Sequence, residues 1–493
     1  MSWLLGGIAF LILGYFTYGR LVERILGPDD RKTPAVANPD GVDYVPLPKW
    51  KNMLIQLLNI AGVGPVIGVI AGIKFGKVSL LIIPVGCVLM GAVHDFCAGF
   101  VSMRMNGANL PKIVKDMLGR TYAAAFSWVL VVLLLLVVAV FINVPANLVD
   151  KQWFPDVSFF WWAVAVIFAY YVAATLFPVD MIIGRVYPIF GGLLLVGSVA
   201  VLGAVVWQGF QQPEILDEGA AFLAYKAGTF DAGGRSPIFP LLFVTIACGI
   251  ISGFHATQSP IVARTIRSER EARVTFYGMM IAEGVIAMIW ASAALAIYNL
   301  VPENLNLPPA VVLGNIAKHF LGPWMGGVAV LAIVVLAVTS GDTALRSARL
   351  SLAEMLGIDQ VKIATRIATC VPLIAFVAVF LWWSNLSAKS FGHVWNYFAW
   401  GNQMIAVTSL MASAVWLLRR GDGAKSLVAL VPGVFMTTVV VSFILWTSSD
   451  KGQPWGLVPG GLPLPVAIGL GFAVAVAFAF WVLKLGREGQ KGK

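Results

Sequence analysis

Apolar runs long enough to cross a bilayer recur about thirteen times along this 493-residue chain. A spanning helix needs about 20 such residues, because the hydrocarbon core holds no water to satisfy an unpaired backbone. The candidate spans are 2–19, 53–73, 78–103, 121–143, 158–178, 187–207, 237–263, 274–299, 324–345, 363–384, 393–418, 426–447 and 463–483. Residues are 59% hydrophobic and only 12% charged, against about 25% charged in soluble domains. Lipid must solvate part of that surface. The expected fold class is therefore an all-α polytopic membrane protein.

The net charge of +10 sits in short loops between spans, with no dense basic run. That excludes nucleic acid as a partner and leaves the bilayer. Starting with the N-terminus outside, one set of alternate loops is 20–52, 104–120, 179–186, 264–273, 346–366, 419–425 and the tail from Lys484. These hold 26 of the 34 Lys and Arg residues. The other set holds Lys74, Lys77, Lys151, Lys226, Arg235, Lys318, Lys389 and Lys451. The positive-inside rule then places the C-terminus in the cytoplasm. Residues 20–52 are expected to be cytoplasmic and 208–236 external, with 308–320 a short interfacial helix. The opening MSWLLGGIAF lacks a basic n-region and reads as a retained first helix. Cys87, Cys97, Cys248 and Cys370 all fall in apolar stretches and read as packing thiols.

Two spans carry helix-breaking sequence. Span 2 contains Gly62, Gly64 and Pro65; span 7 contains Gly249, Ser252, Gly253, His255, Gln258 and Pro260. Proline removes a backbone donor and glycine weakens a helix. Open backbone in a membrane persists only where it is buried in protein or lines a cavity. The alternative is close packing through small residues. The two spans lie five apart and begin on opposite sides, and interrupted helices so placed point to a secondary transporter. Residues 53–207 and 237–418 are then two inverted repeats of five spans. Residues 1–52 form a first helix with its loop, and 426–493 two peripheral helices with a tail. Half-helix N-termini at the breaks favour a carboxylate-bearing substrate.

Few ionisable groups lie deep in the spans: His94, Asp95, His255, Glu283 and Asp342. Asp95, His255 and Glu283 each lie nine or ten residues from a loop arginine, so all three fall roughly 14 Å from the cytoplasmic boundary. They read as a proton relay or coupling site, or else as a hydrogen-bonded lock between helices. Asp342 also suits a helix-end pair with Arg346. Thr339 and Ser340 can ligate Na⁺ together with carbonyls of span 2, or bond back to their own helix. Asn402 and Gln403 in span 11 can face substrate or join helices, as can Asn396. A zinc site from His94, Asp95, His255 and Glu283 would suit a membrane-embedded hydrolase, but no H-E-x-x-H motif accompanies it. No P-loop occurs, and no cofactor or resident metal is expected.

The stretches GVDYVPLPKW (41–50), IAGVGPVIG (60–68), GAVHDF (91–96), SGFHATQSPIVAR (252–264) and TSGDTALRSARL (339–350), with a weaker GNQMIA (401–406), resemble the carbon starvation protein A family. The resemblance covers most of the chain. It implies a transporter of the bacterial inner membrane, induced on nutrient shortage, that imports peptides or pyruvate with proton coupling. It also implies a five-plus-five inverted fold. His94, Asp95 and His255 fit the family pattern. Ile55 and Gln56 depart from it, standing where a His-His pair is expected. The function expected is uptake of a small-molecule substrate, a peptide or a small carboxylate, by alternating access with H⁺ or Na⁺ coupling. A metal hydrolase and an uncoupled channel or starvation sensor are the alternatives.

Overall fold

Leu-, Val- and Ala-rich sequence is helical along the chain, the form that pairs backbone groups within their own segment. The computed structural model describes residues 1–154, 156–176, 179–220, 222–223, 237–386, 388–448 and 456–491. The side chains of 179–188, 190, 388–393 and 396 fall outside that description, as does much of the expected external loop 208–236.

Ten described helices are long and apolar enough to cross a membrane: Ser2–Leu26, Val78–Arg104, Arg120–Trp153, Gly191–Gln211, Glu269–Leu300, Pro309–Leu356, Ile363–Ser384, Tyr397–Arg419, Ala424–Trp446 and Leu464–Gln490. The pair Lys49–Ile60 and Gly64–Phe75, bent by 53°, makes an eleventh. The expected count of thirteen is not reached on length and apolarity. The stretch at 158–178 gives a 17-residue helix, Phe160–Leu176. The stretch at 237–263 is divided into Ile238–Leu242, Phe243–Thr245, Ala247–Ile250 and His255–Ala263. Inside Pro309–Leu356, Gly322 has φ 72° and precedes Pro323. This break separates the expected short helix from the span beginning at 324.

Burial grades the spans. The apolar windows of Glu269–Leu300 and Tyr397–Arg419 are 89% buried, against 22% for Leu464–Gln490 and 28% for Ser2–Leu26. The first two are central and the last two face lipid. Ala424–Trp446, expected at the periphery, is 67% buried and packs against Tyr397–Arg419. Large side chains such as Trp162, Phe210, Trp382 and Phe480 are exposed, and lipid is their natural solvent.

The two interrupted segments lie side by side and antiparallel. Asn52 meets Thr265, Gln56 meets Ser259, the Ile60 backbone meets His255, and Gly64 meets Cys248. One number rises as the other falls. The segment between spans 1 and 2 closes one end of this pair. Leu47 N–H donates to the Thr265 carbonyl at 2.9 Å and Thr33 Oγ1 to the Ile266 carbonyl at 2.6 Å. Arg346 Nη1 donates to Asp43 Oδ1 at 3.1 Å. Burial alone would push the Asp43 carboxyl up, but the guanidinium groups of Arg346, Arg349 and Arg264 hold it below its ordinary value.

Candidate functional site

The helix of span 2 stops at Ile60 because Ala61 turns to φ −75°, ψ 67°, and resumes at Gly64 with Pro65 beside the new start. There its missing N–H costs nothing, since the first N–H groups of a helix have no internal partner. In span 7 the backbone goes extended at Ile251 and returns to helical angles at Phe254, which leads into His255–Ala263. Pro260, by contrast, lies inside the helix His255–Ala263. Gly249, Ser252 and Gly253 surround this break, and the proline stands beyond it.

Close approach explains two of these glycines. A Cβ on Gly64 would stand 2.2 Å from the Cys248 Cβ, and one on Gly253 would stand 2.0 Å from the Asn402 carbonyl oxygen. The breaks therefore pack backbone against neighbour. Gly62 lies against the Phe141 ring and Ser340. Asn402 fills the gap left in span 7: its Oδ1 accepts from the Phe254 N–H, and its Nδ2 donates to Ser252 Oγ at 2.9 Å. It caps the second half-helix from outside, a partner that local sequence does not reveal. Gln403 Nε2 donates to the Phe243 carbonyl at 2.7 Å. Gln258 Nε2 donates to Thr257 Oγ1 at 2.8 Å and to Ser347 Oγ at 3.2 Å.

The ionisable groups expected at one depth are in contact, and all are fully buried. His255 Nδ1 lies 2.9 Å from Asp95 Oδ2 and 3.1 Å from Oδ1. His94 Nδ1 lies 2.9 Å from Asp95 Oδ1. On its far side, His255 Nε2 lies 3.6 Å from Glu283 Oε2. An ionised Asp95 only accepts, so both rings present Nδ1–H to it. The ring's other nitrogen, His255 Nε2, faces Glu283, and a neutral imidazole there can take a proton from that carboxyl. Carboxylate, imidazole and carboxylate thus form one line across spans 3, 7 and 8. Among the described residues no three His, Cys, Asp or Glu side chains are placed to hold a metal ion.

The remaining candidates lie elsewhere. Thr339 Oγ1 and Ser340 Oγ both donate to the Leu58 carbonyl, at 3.2 and 3.1 Å. They tie span 9 to span 2 just before its break. Asp342 accepts from Tyr170 Oη at 2.7 Å. Sequence reading gave no role to Asn59 and named Gln56 only as a departure from the family pattern; both are buried amides of span 2. Their signal is the heptad-like spacing of Asn52, Gln56 and Asn59 on one helix face.

Solved structures share this architecture. Mhp1, a nucleobase-cation-symport-1 family transporter, is 12% identical with a TM-score of 0.54, covering 92% of this chain and 99% of its own. A manganese transporter variant from Eremococcus coleocola is 12% identical with a TM-score of 0.52 and the same coverage. The fold is that of these membrane transporters. The family model for carbon starvation protein CstA matches residues 1–215, 157–322 and 316–442. The chain belongs to that family. An uncharacterized membrane protein of Haemophilus influenzae is 41% identical over 60% of this chain and 91% of its own length. The peptide transporter CstA of Campylobacter jejuni is 25% identical over 87% of this chain and 77% of its own. The pyruvate/proton symporter BtsT of Escherichia coli is 28% identical over 57% of this chain and 46% of its own.

Proposed function

We propose that this chain is a proton-coupled importer of small peptides or carboxylates, working by alternating access in the bacterial inner membrane. The line Asp95–His255–Glu283, buried beside two interrupted helices, carries the reading. Its placement suits coupling, since the same ring touches the span 2 break at Ile60 and belongs to the span 7 half-helix. A proton taken by Glu283 or His255 changes the charge beside both breaks, and substrate bound there would feel it. The named cargoes of the relatives, peptides and pyruvate, set the substrate range.

In this reading, residues 53–207 and 237–418 are the inverted halves, with the N-terminus outside and the C-terminus in the cytoplasm. Gly62, Pro65, Ser252 and His255 line the substrate path, with Gln258 and Gln403 beside it, while Gly64 and Gly253 seat the breaks against their neighbours. Asn402 shapes it by holding the span 7 break open. The segment 28–48, anchored by Asp43 to Arg346, closes the cytoplasmic side. Thr339 and Ser340 serve as the joint between spans 2 and 9. Both hydroxyls are bonded to Leu58, and a sodium ion would have to displace those bonds.

Uptake of radiolabelled dialanine and pyruvate into proteoliposomes tests the reading. An acid-outside pH gradient should drive accumulation, and replacing Na⁺ by choline should leave it unchanged. Uptake of neither solute under any gradient would reject transport of these classes. Dependence on Na⁺ alone would reject proton coupling and favour the Leu58–Thr339–Ser340 oxygens as an ion site.

A further inference from the structure

Three amides share one stripe of the helix Lys49–Ile60: Asn52, Gln56 and Asn59, spaced four and three residues apart. All are fully buried. The first two are paired across the antiparallel helix pair. Asn52 Oδ1 accepts from Thr265 Oγ1 at 2.8 Å, and its Nδ2 donates to the Thr265 carbonyl at 3.2 Å. Gln56 Nε2 donates to Ser259 Oγ at 3.3 Å. As the stripe climbs by a turn each time, the partner helix descends from Thr265 to Ser259 to His255. Asn59 falls level with His255, in the last turn before the break.

Gln56 Oε1 already lacks a partner among the described residues, and at Asn59 the pairing stops altogether. Neither Oδ1 nor Nδ2 of Asn59 has a partner among the described residues. The nearby His255 Nε2 and both Glu283 oxygens also lack a hydrogen bond. Leaving a buried amide with neither half used is costly, and an apolar side chain of similar shape would avoid that cost. The unused atoms ask for a ligand. An amide side chain presents one acceptor and a donor group side by side. Its complement is a group that also donates and accepts.

We propose that Asn59 is a specificity-determining residue, hydrogen-bonding a substrate that sets an N–H donor beside an acceptor oxygen, as the C-terminal residue of a dipeptide does with its amide N–H and its carboxylate. The inference rests on the transport reading above. A keto acid ionised at neutral pH offers only acceptors, so it leaves Asn59 Oδ1 unpaired in a site closed to water. The chain therefore favours dipeptides over pyruvate, and Asn59 supplies part of the preference.

The test uses the full chain in proteoliposomes, with dialanine and pyruvate as probes. Asn59→Asp, which keeps an acceptor, should raise the dialanine KM about ten-fold, the factor expected for one lost hydrogen bond, and Asn59→Leu, which loses both bonds, by at least as much. Asn59→Leu should shift the dialanine-to-pyruvate uptake ratio toward pyruvate and melt no lower than wild type. Equal loss for both solutes with a lowered melting temperature would make Asn59 merely structural and overturn the proposal. So would an unchanged dialanine KM in both variants, or wild-type uptake of pyruvate without dialanine. Wild-type uptake of neither solute would reject the transport reading and this inference with it.

Discussion

His255 Nδ1 lies 2.9 Å from Asp95 Oδ2, joining the half-helix of span 7 to a carboxylate of span 3. Both groups are fully buried, so each relies on the other. Asp95→Asn and Glu283→Gln keep shape and remove a proton site. Gradient-driven uptake should fall about 100-fold or more in each, as expected when a positioned proton acceptor is lost. Substrate exchange without a gradient should fall by much less. Equal loss of exchange and net uptake would make the line a structural lock. His255→Ala, which strands two carboxylates, should also destabilise the fold by about 3–5 kcal/mol.

Gly64 and Gly253 differ in what they meet. Gly64→Ala drives a methyl into the Cys248 side chain, with Cβ at 2.2 Å and Sγ at 2.4 Å. It should cost about 1–3 kcal/mol by overpacking, and Cys248→Gly should restore part of the loss. Gly253→Ala meets the Asn402 carbonyl at 2.0 Å and the Ala406 nitrogen at 2.3 Å, which are backbone atoms. No side-chain substitution should rescue it. Thermal melting of the single and double variants in detergent checks both statements.

Asp43 ties the segment between spans 1 and 2 to Arg346. Its carboxyl is held below the ordinary value of 3.8. A group so depressed contributes stability above its unfolded value, and that contribution is lost as pH falls through the folded value. Wild-type melting temperature should therefore drop as pH falls below about 4. Asp43→Asn should lack that component and be less stable at neutral pH by about 3 kcal/mol. An identical acid profile in the variant would remove Asp43 from the account.

Much of this was legible in the sequence. Long apolar runs give helices because lipid permits little else, and Gly62–Pro65 and Gly249–Gly253 mark the two breaks. Counting from loop arginines put Asp95, His255 and Glu283 at one depth, and the structure brings them into contact. Facing was not legible. Asn402 reads as a polar residue in an apolar helix, and only the fold shows it reaching the Phe254 N–H. Arg346 reads as an i,i+4 partner of Asp342, and only the fold shows it also reaching Asp43 some 300 positions away. The span count is not confirmed where length runs short: 17 residues at Phe160–Leu176 are a helix but a short one. Pro260 lies inside His255–Ala263 and makes no break, whereas extended backbone at Ile251 needs only glycine and serine around it.

Proton movement tied to substrate movement is the central claim. Proteoliposomes containing an internal pH dye, with membrane potential clamped, report it directly when dialanine is added outside. Wild type should acidify the lumen on addition, and Glu283→Gln should not, while still exchanging dialanine. Dialanine entry without acidification in wild type, or unchanged acidification in Glu283→Gln, would contradict the account.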